Sequence, residues 1–237
     1  MNSYLSTKFF LHRLNGLLKL IPVASFIRSK SYSQFWEDRL IFRILINSPG
    51  SYVDIGAGAP IWGSNTYFFY KKGWRGITVD PIGFNIILHK IFRPRDQKYQ
   101  ALVSSKSDEI VFYELIPWEL STTDPTVAAV KIKNGATIFR ERSMPTISLK
   151  KIYDLNSIKR PSILSIDVEG AEMEVLLSNK WETYCPDIVC IEELNNPLDK
   201  SLIRKFLEKY NYTLEVYNGV SSIYTWNESK HLKKNFC

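Results

Sequence analysis

Cysteine is scarce and odd in number: Cys185, Cys190 and Cys237 are the only three in 237 residues, with no CxxC pair among them. That excludes a disulfide framework and a cysteine-held zinc site, and it fits a reducing, cytoplasmic compartment. Histidine is equally rare. His12, His89 and His231 are the only ones, and none falls at the end of an expected strand, so a histidine base for catalysis is not on offer; His89 reads as a surface or partly buried helix residue. Long apolar runs are missing as well. The nearest is Phe9–Ile27, which His12, Arg13, Asn15 and Lys19 make too polar to span a bilayer. Leu14, Leu17, Leu18 and Ile21 keep helical spacing there, amid Lys8, Arg13, Lys19, Arg28 and Lys30. The favoured reading is a short helix packed on the domain, and the other is an interfacial helix touching the inner face of a membrane. Internal repeats and low-complexity tracts are also absent, and nothing in the composition suggests disorder.

What remains is one large α/β domain over residues 31–237 behind an N-terminal extension, residues 1–30. Lysine and arginine outnumber acids 31 to 24, a net charge of +7 that favours an anionic partner without choosing one. From residue 50 short β-rich runs alternate with helical segments, the pattern of a mostly parallel, doubly wound sheet. Strands are expected at Ser51–Ile55, Gly76–Asp80, Tyr99–Val103, Ser162–Asp167 and Asp187–Ile191, with an added β-rich run at Ile110–Leu115. Helices are expected at Asn65–Lys72, Ile82–Phe92, Ala171–Leu177 and Leu198–Tyr210. Asn218-Gly219, between Tyr212–Tyr217 and Ser222–Trp226, marks an antiparallel C-terminal hairpin. Pro117–Pro145, with three prolines and no clean period, reads as an inserted loop or lid whose Leu120–Asp124 stretch is either a solvated turn or an acceptor contact.

In such a sheet, ligands bind beyond the carboxyl ends of the strands. Four expected strands end in acids: Asp54, Asp80, Asp167 and the pair Glu192-Glu193. One such acid is an ordinary surface carboxylate; four in succession imply convergence on one crevice. The turn Gly56-Ala57-Gly58 lets backbone approach a ligand, but Ile61 stands where a dinucleotide fingerprint needs its third glycine. Asp80 is placed to hold a ribose diol, a role shared by nicotinamide and adenosyl cofactors.

The runs Ser33-Gln34-Phe35-Trp36-Glu37-Asp38, Val53-Asp54-Ile55-Gly56-Ala57, Ser64-Asn65-Thr66 and Gly73-Trp74-Arg75-Gly76-Ile77, together with Leu164–Glu172, resemble the FkbM methyltransferases. The resemblance covers residues 31–195. It implies a Rossmann-like class I methyltransferase fold, S-adenosylmethionine as donor, and an oxygen acceptor on a sugar, glycan or natural product. It further implies that Gly56 and Ala57 line the methionine part of the donor, that Asp54 holds its amino group and Asp80 its ribose, and that Ala101, Leu102 and Val103 border the adenine. Gln34 and Asn65 are additional donor contacts on this reading; Gln34 equally suits a polar helix-entry residue. Asp167 belongs near the sulfonium or the acceptor.

A hydroxyl acceptor must lose its proton or have its alkoxide stabilised. With no histidine at an expected strand end, carboxylates or a metal are the stronger candidates. Asp167, Glu192 and Glu193 would suit Mg²⁺ or Mn²⁺, an arrangement similar to that of metal-dependent sugar O-methyltransferases; without metal, Glu169, Glu172 or Glu192 serves as base. Trp62, Trp74, Trp118 and Trp226 offer flat faces for a sugar, though core packing is the commoner fate of any one. A nicotinamide oxidoreductase is disfavoured by the incomplete fingerprint, and a base-modifying nucleic-acid methyltransferase by the absence of an Asn/Asp-Pro-Pro-aromatic run, so no nucleic-acid partner is expected. A non-catalytic glycan- or lipid-binding protein is disfavoured by the intact Asp54, Gly56, Asp80 and Asp167. A surface polysaccharide of the cell is the acceptor class the resemblance favours.

Overall fold

The computed structural model describes residues 31–46, 50–106, 109–158, 160–193 and 200–232. The N-terminal extension, with its expected helix, and the first residues of the helix expected from Leu198 lie outside the described residues.

A seven-stranded sheet forms the centre. Its order is β10 (Tyr212–Tyr217), β11 (Ser221–Trp226), β9 (Ile188–Glu192), β8 (Ile163–Ile166), β1 (Ser51–Ile55), β2 (Arg75–Val79) and β3 (Gln97–Tyr99). Neighbours are parallel except that β11 runs antiparallel to both β9 and β10. The chain builds outward from β1 to β3, then returns to β1's other side with β8. The switch point therefore lies between β1 and β8, where a ligand crevice is expected to open.

Strand alternation sorts the core into two layers. Tyr52, Ile163, Ile188 and Cys190 face α1 (Glu37–Ile44) and α2 (Tyr67–Lys71), meeting Ile41, Ile44, Phe68 and Phe69. Val53, Ile55, Leu164, Ile166, Val189 and Ile191 face the other way, toward α5 (Leu149–Leu155), α6 (Glu172–Leu177) and α7 (Leu202–Lys209). Between β2 and β3 runs α3 (Gly83–Phe92).

Two expectations need correction. The strand expected at Tyr99–Val103 is broken: β3 stops at Tyr99, and β4 (Leu102–Val103) leaves the sheet to pair with β7 (Thr146–Ile147). The inserted segment is not a loop. β5 (Ile110–Ile116) pairs with β6 (Thr137–Met144) as a hairpin enclosing a 3₁₀ turn, Trp118–Leu120, and α4 (Pro125–Lys133). Asp124 caps α4 by accepting from the N–H groups of Thr126 and Val127, with Pro125 at the first helical position. The three prolines punctuate this unit rather than dissolve it.

One charge is sealed into the α1/α2 side of the sheet. The Arg93 side chain, just past α3, is wholly buried; its Nε donates to Asp96 at 2.8 Å, and its other nitrogens donate to Ser64 at 3.2 Å and Thr66 at 2.9 Å. Asp96 also accepts from the Tyr52 hydroxyl and the Gly76 N–H. One guanidinium thus ties β1, β2 and the entry to α2 together. Breaking a buried pair from one side costs about 3–5 kcal/mol, since the abandoned charge stays buried. Arg93→Ala should lower unfolding free energy by about that amount in urea titration, whereas Tyr52→Phe, which leaves the ion pair intact, should cost only about 1–3 kcal/mol.

Candidate active site

The turn after β1 is built by close backbone contact. The N–H groups of Gly56 and Ala57 both reach the Val79 carbonyl, at 2.9 and 3.1 Å. Gly56 has φ +75°, and a Cβ there would sit 1.7 Å from the Asp167 carbonyl oxygen. Only glycine lets β1 and β8 release their chains side by side at the switch point. Gly58, at φ +56°, donates its N–H to Asp80 Oδ2 at 2.9 Å, and Asp80 Oδ1 accepts from the Ile82 N–H at 2.7 Å. Behind the turn, the fully buried His89 holds the Gly58 carbonyl through Nε2 at 3.2 Å. A carbonyl only accepts, so this nitrogen carries a proton. Burial pushes His89 down to about 3, with help from the nearby Arg93 charge.

Above this turn lies a cavity of about 360 Å³, within the usual range of small-molecule sites. Its walls include Gln34, Gly56, Ala57, Asp80, Ala101, Leu102, Val103, Asp167, Glu169 and Glu192. Trp62 and Trp118 also line it, whereas Trp74 is buried in the core and Trp226 lies under the Arg160 guanidinium, 4.2 Å away. The inserted unit contributes Phe112, Trp118, Glu119, Ser121 and Thr123.

At one end of the cavity, Asp167, Glu169 and Glu192 bring carboxylate oxygens within 4.8 Å of one another. Asp167 lines the lumen and is exposed, whereas Glu169 and Glu192 are partly buried. Removal from bulk water raises the proton affinity of Asp167, and the negative charges of Glu192, Glu169 and Glu172 raise it further. Glu192 is raised to about 7, first by burial and then by Glu169 and Glu172. Glu169 is latched to the inserted unit: Lys131 of α4 forms an ion pair with its carboxylate, and the Thr122 hydroxyl donates to its carbonyl at 2.7 Å. These contacts hold its backbone at φ +57°, an uncommon conformation for a residue with a side chain.

The sequence profile of the methyltransferase FkbM domain matches residues 54–214. The chain belongs to the FkbM methyltransferase family. Similar solved structures include a TehB-like SAM-dependent methyltransferase from Corynebacterium glutamicum, 13% identical over 92% of this chain and 99% of that one, with a TM-score of 0.47. A precorrin-6y C5,15-methyltransferase from Geobacter metallireducens is 13% identical over 84% and 93%, with a TM-score of 0.47. A Burkholderia thailandensis 1,6-didemethyltoxoflavin-N1-methyltransferase is 13% identical over 90% and 88%, with a TM-score of 0.41. No curated protein matches the chain significantly.

Three sites expected in this methyltransferase lie elsewhere than the sequence implied. Asp54 is not on the cavity wall; its carboxylate turns into the sheet layer, accepting from the Thr66 hydroxyl at 2.5 Å with Arg93 4.0 Å away. Asn65 is likewise behind the wall, its amide donating to Ser165 Oγ at 3.3 Å. Glu193 is not among the clustered acids. Adjacent residues at a strand end point to opposite sides, so Glu192 meets the cavity while Glu193 accepts from Ser222 at 2.8 Å and Tyr224 at 3.2 Å. Glu172, a candidate base, accepts from the Gly170 N–H at 3.0 Å at the head of α6, which suits helix capping.

Arg93 and Lys131 carry no assignment from the sequence, and His89, which reads there as a surface or partly buried residue, is fully buried. Their signal was there for two: His89 and Arg93 stand four apart on one helical face, and Asp96 follows Arg93 by three.

Replacing Gly56 with alanine should be far more damaging than replacing Gly58, where only the positive φ is strained, about 1–2 kcal/mol; thermal denaturation of the two variants compares them directly. Because folded His89 resists protonation, its contribution is unchanged above about pH 6.5, and folding weakens as the unfolded chain takes up a proton below that value. Between pH 7 and 5 the native protein should lose about 2 kcal/mol that His89→Gln, whose amide can still donate to Gly58, does not lose.

Proposed function

We propose that the protein methylates a hydroxyl group of a sugar, carried on a glycan, a nucleotide-linked sugar or a glycolipid, with S-adenosylmethionine as donor. The observation that supports this most is the pairing of Asp167 with Glu192 in the same cavity as the Gly56 turn and Asp80. The net charge of +7 favours an anionic acceptor such as a nucleotide-linked sugar or an acidic glycolipid.

The cavity residues fit an adenosyl donor. The Gly56–Gly58 turn offers backbone without side-chain obstruction, Asp80 supplies a carboxylate for the ribose, and Ala101, Leu102 and Val103 give an apolar surface for the base. Ala57 and Gln34 border the methionine portion. When bound, the donor supplies a methyl group already activated by its sulfonium. The protein's own task is to align the acceptor oxygen and receive its proton. Asp167 and Glu192, whose proton affinity is raised by removal from bulk water and by the charges of neighbouring glutamates, are the groups suited to that task. Cytoplasmic localisation and peripheral membrane contact belong to the same proposal; no helix among the described residues is long and apolar enough to cross a membrane.

A divalent ion is the second reading, favoured by the three clustered carboxylates. Asp167, Glu169 and Glu192 would hold Mg²⁺ or Mn²⁺ through hard oxygen ligands, and the ion would acidify a coordinated hydroxyl. Lys131 at Glu169 already balances part of the cluster's charge.

Asp167→Ala and Glu192→Ala should each slow methyl transfer by roughly 10²- to 10⁴-fold while S-adenosylhomocysteine affinity, read by calorimetry, stays within several-fold. A fully active Asp167→Ala would remove the acid pair from the chemistry. Turnover that survives a chelator undiminished would exclude the ion. Glycans from cells carrying the gene should be heavier by one CH₂ per modified site than those from cells lacking it, as read by mass spectrometry.

A further inference from the structure

The inserted unit reads from sequence as a loop or lid, with Leu120–Asp124 as either a solvated turn or an acceptor contact, and Trp118 as one of several candidate sugar faces. The geometry points to a different role: we propose that Trp118, together with Phe112, forms the outer wall of the purine subsite, so that the insertion is part of the donor site. The inference rests on the donor proposed above.

Trp118 lines the cavity beside the glycine turn, with its indole ring over Gly58: a Cβ built on Gly58 would lie 3.6 Å from the ring's Cη2 and Cζ3 atoms. Gly58 is the residue whose N–H binds Asp80, so the indole stands at the ribose end of the cavity. The acid cluster belongs to the other strand pair, β8 and β9. Beyond Asp80 the wall continues as Ile82 and Leu102, and these two pack with Phe112 and Met144 of the β5–β6 hairpin, with Trp118 against the same cluster. The ribose end of the cavity is thus bordered both by Ile82 and Leu102 of the core and by Phe112 and Trp118 of the insertion.

The hairpin is fixed well enough to present those rings. Arg142 of β6 donates to the Pro81 carbonyl at 2.8 Å and lies 5.7 Å from the Phe112 ring centroid. β4 and β7 pair beside it, so the residues bordering the ribose end from the core are joined to the end of the insertion. Trp118 itself is only partly buried. It packs against the Ile82, Leu102, Phe112 and Met144 cluster and also lines the cavity. A purine offers such a ring a π-face of matching size, and stacking of a base on an aromatic side chain is a substantial, sequence-tolerant source of affinity. A sugar acceptor belongs at the opposite end of the cavity, beside Asp167 and Glu192.

Calorimetric titration with two probes tests this: S-adenosylhomocysteine, and S-ribosylhomocysteine, which lacks the purine. Trp118→Ala should weaken the first by roughly ten- to a hundredfold and leave the second unchanged, while Trp118→Phe, which keeps a ring, should stay within a few-fold of the native protein for both. Native-like S-adenosylhomocysteine affinity in Trp118→Ala would overturn the inference, as would equal weakening of both probes, which marks a general disturbance of the site. Failure of the unaltered protein to bind S-adenosylhomocysteine would instead strike the donor reading itself and take this inference with it.

Discussion

A single buried guanidinium organises the ground on which the cavity stands. Arg93 joins Asp96, Ser64 and Thr66, and through them Tyr52, Asp54 and the Gly76 N–H. An arginine with no access to water is tolerable only if its donors and its charge are satisfied together. That requirement fixes the relative positions of β1, β2 and the start of α2. The Gly56 turn leaves β1 directly above this network, and Asp80 leaves β2 beside it. The network makes no contact with the cavity lumen, yet it determines the spacing of the strand ends that do.

This explains why the expectation of four converging acids was only partly met. Asp80, Asp167 and Glu192 share the cavity, whereas Asp54 serves the charge beneath it. In sequence, a strand-terminal aspartate bound for solvent or ligand looks the same as one bound for an interior arginine, because the arginine is distant along the chain. Glu193 was separable in principle, since period-two alternation cannot send both members of an adjacent pair to the same place. The glycine turn, the parallel strands and the C-terminal hairpin were legible because their signals are local: β-rich runs bounded by Gly, Asp or Asn-Gly. The inserted unit was harder. Its helix carries clear end signals in Asp124-Pro125 and Asn134-Gly135, but its strands find partners only through long-range pairing. Leu102 and Val103 left the main sheet for the same reason, drawn to Thr146 and Ile147 by a contact no local pattern announces.

The insertion and the acid cluster are a joined assembly. Lys131 and Thr122 hold Glu169 from one side, and the same unit meets Gly58 through Trp118 from the other. The roof of the cavity is thereby coupled to both ends of its floor, so a displacement of α4 is felt at Glu169 without passing through the central sheet.

The two outer strands carry a consequence for solubility. β3 is three residues long with Lys98 at its centre, and β10 is interrupted by a register shift between Leu214 and Val216. Short length, a central lysine and a bulge each deny an incoming chain a continuous row of unpaired amides and carbonyls. Both margins of the sheet are thus poor templates for strand addition, and a protein built around seven strands is guarded against edge-to-edge aggregation.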